Sequence, residues 1–187
     1  MINGKAKGSA WERDVCKALS LWLTKGQRPD ILTRNVLSGG RFTNALRKDS
    51  NEKGMPGDVM AAHPLAFKFN FLVECKHLNS LSLEAYLFDH DDRSPLAHII
   101  NQARQHAAKA ETPLHFMIVA KQNQKPPLVF VDNLILEFMQ DAHKNRRGIP
   151  SYRLPFHHLH SQSIGMFRFQ DLINCVDPDK FLAMANP

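Results

Sequence analysis

Val15, Leu19, Trp22 and Leu23 recur at helical spacing, which predicts a first helix from about Ser9 to Thr24. Ser9-Ala10-Trp11-Glu12 has the spacing of a capping box, and Gly26 is a natural stop. Asp30 to Leu37 leans toward strand, and Ser38-Gly39-Gly40-Arg41 opens a basic, Asn- and Ser-containing loop that runs through Gly54. A short strand is expected over Asp58 to Ala62, ended by His63-Pro64 and paired in a hairpin with the next strand. In that strand, Phe69, Phe71, Val73 and Cys75 alternate with Asn70, Leu72, Glu74 and Lys76, so Glu74 and Lys76 share a face.

Ser94-Pro95 reads as an N-cap with proline in the first turn, leading a helix whose buried stripe is Leu96, Ile99, Ile100, Ala103, Ala107 and Ala110. Gln102, Gln105, His106 and Lys109 lie away from the centre of that stripe. Leu114 to Ala120 and Leu128 to Val131 predict a second hairpin, and Asp132 caps a helix carrying Leu134, Ile135, Phe138 and Met139. Lys144 to Gly165 reads as loop, with short apolar pieces after it. The whole is expected to be one domain over residues 1–187, with a motif-bearing core at about 7–120 and a C-terminal elaboration at about 121–187.

Composition narrows the class. A chain of 187 residues that is 43% hydrophobic can close one continuous core. No apolar run approaches a membrane span, and the polar start differs from a secretory signal, so the expected location is the cytoplasm. Cys16, Cys75 and Cys175 sit singly and read as reduced core residues. The net charge of +6 favours a polyanionic partner. Its distribution says more, because Lys5 to Lys53 holds eleven Lys or Arg against five acids. Lys5, Lys7, Arg41, Arg47 and Lys48 are therefore candidate phosphate contacts.

One acid at the start of a strand, followed by an acid and a lysine two apart on the next, suits phosphodiester hydrolysis. That reaction calls for clustered carboxylates around a hard divalent cation, with a cationic side chain beside the water and phosphate. Pro56-Gly57-Asp58 followed by Val73-Glu74-Cys75-Lys76 resembles the signature of the PD-(D/E)xK nuclease superfamily. Lys7-Gly8, Trp11-Glu12-Arg13 and Ser38-Gly39-Gly40 make the chain most similar, within it, to archaeal and phage Holliday-junction resolvases. In one departure, Gly57 separates Pro56 from Asp58.

The resemblance implies an α/β, restriction-endonuclease-like fold with a central mixed sheet flanked by helices. It implies catalytic roles for Glu12, Asp58, Glu74 and Lys76, and a Mg²⁺ site, with Mn²⁺ substituting, formed by Asp58, Glu74 and the backbone carbonyl of Cys75. Glu12 would help directly or through water, Lys76 would position or deprotonate the attacking water, Gln102 or Gln105 would steady the lysine or the water, and Ser38 would contact the scissile phosphate as a DNA-binding residue. It further implies a homodimer acting on branched or duplex DNA, in the cytoplasm of a bacterial cell or a phage-infected host. Two rivals stand beside it: a restriction-like or repair endonuclease on linear or damaged DNA, and a basic nucleic-acid-binding module without catalysis, in which Glu12 is only a cap and Glu74 a surface residue.

Other clusters have simpler readings. Asp89 to Asp92 is expected to be a solvated loop, His157, His158 and His160 surface or packing residues, and Asp177-Pro178 a helix N-cap.

Overall fold

The computed structural model describes residues 4–35, 57–88, 94–110, 115–142, 151–155 and 163–185. The expectations for Ser38, Arg41, Arg47, Lys48, Asp89 to Asp92 and the histidines at 157, 158 and 160 lie outside these residues, as does the Lys5 side chain.

Helix α1 (Gly4–Leu23) starts five residues before the expected Ser9, so Ser9 lies inside it and the capping box does not form. Its end does follow the sequence. Lys25 takes a left-handed φ of 52°, Gly26 follows at 89°, and the Gly26 and Lys25 amides donate to the Leu21 and Trp22 carbonyls, satisfying groups the helix leaves open. Strands β1 (Leu32–Arg34) and β2 (Val59–Ala61) pair antiparallel as a separate two-stranded sheet.

The expected hairpin of β2 with β3 (Phe71–Leu78) is not formed, because a 3-10 turn at Pro64–Ala66 separates the two strands and β2 ladders with β1 instead. After β3 come α2 (Leu83–Phe88), α3 (Pro95–Ala108), β4 (His115–Gln122) and β5 (Leu128–Asp132). Ser94 caps α3, its Oγ accepting from the Ala97 amide at 3.1 Å. Strand β4 lies parallel to β3 and antiparallel to β5, as the second expected hairpin requires.

Helix α4 (Asn133–Ala142) begins at the Asp132 cap, whose Oδ1 accepts from the Ile135 amide at 3.1 Å. The reading of Lys144 to Gly165 as loop is corrected by β6 (Ser151–Pro155) and β7 (Ser163–Arg168), which extend the sheet in the order β3-β4-β5-β7-β6. Gly165, a turn signal in the sequence, serves close packing: a Cβ there would stand 2.8 Å from Leu136 Cβ. The short apolar pieces at the end become α5 (Phe169–Cys175) and α6 (Pro178–Ala185), and Asp177 Oδ1 accepts from the Asp179 amide at 2.9 Å as the expected cap. Cys175 is exposed, which corrects its reading as a core residue, while Cys16 and Cys75 are buried.

The alternation in β3 divides the core between the two faces of the sheet. Phe71, Val73 and Cys75 pack with Trp11, Val15 and Leu19 of α1 and with Leu172 and Phe181 of the C-terminal helices. Leu72 packs on the other face with Leu96, Ile100 and Ala103 of α3. The fold is thus an α/β mixed sheet between helical layers, the architecture of restriction-endonuclease-like proteins. Trp11 and Trp22 satisfy their buried indole N–H groups by donating to the Val119 and Val176 carbonyls, at 3.1 and 2.8 Å. Both bonds tie α1 to the rest of the fold, and the first fixes the backbone beside Glu12. Among the described residues, no helix is long and apolar enough to cross a membrane.

Candidate active site

Asp58 stands where the chain passes from Gly57 into β2, and backbone bonds fix it. Its amide donates to the Val73 carbonyl at 2.7 Å, and its own carbonyl accepts from the Asn35 amide at 2.8 Å. Where the next rung of a ladder would fall, Asp58 Oδ2 accepts from the Cys75 amide at 2.8 Å. The side chain thus replaces a backbone acceptor at the open edge of β3, and the carboxylate is buried there. Amide and carbonyl of one strand residue face the same neighbour, so the Cys75 carbonyl lies on the Asp58 side.

Gly57 accounts for the departure in the motif. Its φ is +96°, and a Cβ would meet the Val73 carbonyl oxygen at 3.0 Å. A side chain there would push Asp58 away from β3. We expect Gly57→Ala to cost more than about 1 kcal/mol of folding stability. Urea denaturation checks this, and an unchanged midpoint would contradict the close approach.

Glu74 and Lys76 project from β3 toward α3, as their shared parity requires. Lys76 Nζ donates to Glu74 Oε2 at 2.8 Å, and His106 Nδ1 of α3 lies 3.4 Å from Glu74 Oε1. Glu74 is buried, Lys76 is a quarter exposed and His106 less so. Glu12 comes from the other face, on α1, where its Oε2 accepts from Arg34 Nε of β1. It is therefore an ion-pair partner of a neighbouring strand, and it stands two turns into α1 rather than at its cap.

The electrostatics follow from this crowding. Burial, and then the charge of Glu74, push the Asp58 carboxyl up to about 6, with Glu12 adding in the same direction. Burial also pushes Glu74 up, but His106 and Lys76 together outweigh it and leave the group below its usual value. Burial alone would lower Lys76, yet Glu74 and Asp58 raise it, so the ammonium stays charged. Burial pushes the Cys16 thiol up to about 12, helped by Glu12 and Asp58, and carries Cys75 well above its usual value. Both remain neutral thiols, so Cys75 can offer a cation its carbonyl but no thiolate.

Among the described residues, no three His, Cys, Asp or Glu side chains gather closely enough to cage a metal, so Glu12, Asp58 and Glu74 do not close into one. The available donor set is two carboxylates and a backbone carbonyl, all oxygen. It suits a hard cation that keeps several waters or substrate oxygens, as Mg²⁺ does, and lacks the nitrogen and sulfur ligands of a zinc site.

The remaining sequence candidates are spread around this centre. Lys7 is half-buried on α1, one turn before Trp11. Gln102 is half-buried one turn before His106 on α3, and Gln105 is exposed. The sequence set His106 beside Gln102 and Gln105 as an exposed helix position and secondary candidate, but the fold half-buries it against Glu74; two residues it did not single out also come in, Arg34 and Asn35, the last buried with Nδ2 donating to the Gly57 carbonyl at 3.0 Å. Only His106 carried a signal, since it stands seven residues after the buried Ile99, on the flank of the same stripe.

The family model described as "Phage putative PDDEXK endonuclease" matches residues 3–176, well past Ala120. No curated protein and no solved structure matches the chain.

Proposed function

Because the chain belongs to this family of phage PD-(D/E)xK endonucleases, we propose that it hydrolyses DNA phosphodiester bonds with a divalent cation held by Asp58, Glu74 and the Cys75 carbonyl. The observation that carries the proposal is the juxtaposition at β3: Asp58 docked on the Cys75 amide at 2.8 Å, and Glu74 joined to Lys76 at 2.8 Å. Bound Mg²⁺ supplies Lewis-acid polarisation of the scissile phosphate. Mn²⁺ substitutes, having the same preference for oxygen.

This chain's own side chains do the rest. Lys76, kept charged, positions the attacking water and offsets negative charge growing on the phosphate, a role its ammonium fits better than that of a base. Glu12, engaged by Arg34, contributes through a bridging water. Water attacks phosphorus in line and the bond to the 3′ oxygen breaks. The products are a 5′-phosphate and a 3′-hydroxyl, which takes up a proton as the water loses one.

For the substrate, the motif order Lys7-Gly8, Trp11-Glu12-Arg13 and Gly57-Asp58 supports branched DNA of the Holliday-junction type. Two symmetric nicks then call for two active sites and a homodimer. Phosphate contacts come from the basic first third, with Lys5, Lys7, Ser38, Arg41, Arg47 and Lys48 as the candidates.

The test is cleavage of labelled four-way junction, linear duplex and single-stranded DNA with Mg²⁺, Mn²⁺ or EDTA. Paired symmetric nicks in the junction, abolished by EDTA, are expected. Cutting of linear duplex alone would make the protein a restriction-like or repair enzyme. Salt-sensitive binding without cleavage on any substrate would leave only the non-catalytic module.

A further inference from the structure

We propose that His106 is a positioning residue that holds the Glu74 carboxylate in place for the divalent cation, an inference that rests on the metal-dependent reading above.

A buried carboxylate is costly unless both its oxygens find partners. Glu74 is 6% exposed, and its two oxygens face different elements: Oε2 takes Lys76 Nζ at 2.8 Å, and Oε1 faces His106 Nδ1 at 3.4 Å. These partners differ in stiffness. Lys76 is a four-carbon chain on the same strand as Glu74, and its proposed work takes the ammonium toward water and phosphate. His106 carries its ring on two rotatable bonds from α3, whose register is set by the Ser94 cap and by buried Ile99, Ala103 and Ala107.

When Lys76 turns to the substrate, His106 remains to fix the orientation of Glu74. Its contact is long for a hydrogen bond at 3.4 Å, and a small shift of Glu74 on loading would tighten it. Outer partners of this kind set the affinity of the carboxylate they hold.

The experiment is Mn²⁺ binding, followed by the electron paramagnetic resonance signal of the free ion, with wild type, His106→Ala, His106→Asn and His106→Gln. Thermal melting of each variant accompanies it. His106→Ala should weaken Mn²⁺ binding roughly ten- to a hundredfold. His106→Asn, whose amide nitrogen falls near Nδ1, should recover most of that loss. His106→Gln, whose amide reaches the Nε2 position instead, should not, and it serves in place of alanine if that variant does not fold.

Wild-type affinity in a folded His106→Ala or His106→Gln would overturn the proposal. So would a folded His106→Asn that binds no better than alanine. These results leave the metal-dependent reading standing. Wild type that binds no Mn²⁺ in a manner sensitive to Asp58→Asn would remove that reading and the proposal with it.

Discussion

Lys76→Ala is expected to lower the rate of DNA cleavage by at least about a hundredfold, the usual cost of losing one preorganised electrostatic stabiliser. The Lys76 ammonium is joined to Glu74 at 2.8 Å, and its charge is sustained by both Glu74 and Asp58. DNA affinity should stay within about threefold of wild type, since the basic first third that supplies phosphate contacts is untouched. The variant also takes the 2.8 Å ion pair from buried Glu74 and leaves it the longer contact to His106, so it should melt earlier, and cleavage has to be compared well below its melting temperature. A filter-binding titration beside a single-turnover cleavage assay separates the two effects. Near-wild-type cleavage would remove Lys76 from the reaction, and loss of binding in step with cleavage would make it a DNA contact.

The second large effect concerns stability. Asp58 has its carboxyl raised to about 6 by burial and by Glu74, well above an unfolded aspartate near 4. A raised acid favours the folded state most when protonated. Its contribution is therefore fully present below about pH 4 and is lost as pH rises through about 6. Without metal at pH 7.5, Asp58→Asn should be more stable than wild type by roughly 1–3 kcal/mol, because the amide keeps an acceptor for the Cys75 amide without the repulsion. Near pH 4 the advantage should vanish. Mg²⁺ should stabilise wild type and leave the variant unmoved. Urea denaturation across this range checks the sign, and a variant less stable than wild type at pH 7.5 would mean that the two carboxylates do not repel. The expected gain in Asp58→Asn would mark the site as one that gives up stability for function.

What the sequence made legible is what local patterns control. The parity of β3 placed Glu74 and Lys76 together on the α3 side, and the caps at Ser94, Asp132 and Asp177 marked three helix starts. The first turn of α1 was hidden because Gly4 to Gly8 contains no apolar stripe and Ser9 imitates a cap. Strand β7 was hidden because its Gly165 reads as a turn until Leu136 is seen to occupy the space above it.

In the site, Asp58, Glu74 and Lys76 could be singled out because Gly57-Asp58 followed by Glu74-Cys75-Lys76 resembles a known nuclease signature, and strand parity put Glu74 and Lys76 on one face. The contacts of Arg34 with Glu12 and of His106 with Glu74 span 22 and 32 residues, and only the packing of β1 and α3 around the edge strand creates them. The role of Gly57 became physical in the same way: its position between Pro56 and Asp58 looks like a departure in sequence and is a close approach to Val73 in space.

The central claim is that Asp58 and Glu74 together hold one divalent cation, and the most direct measurement is the number of Mn²⁺ ions bound per chain by wild type, Asp58→Asn and Glu74→Gln. About one is expected for wild type at millimolar Mn²⁺ and essentially none for either variant. Wild-type stoichiometry and affinity in both variants would contradict it.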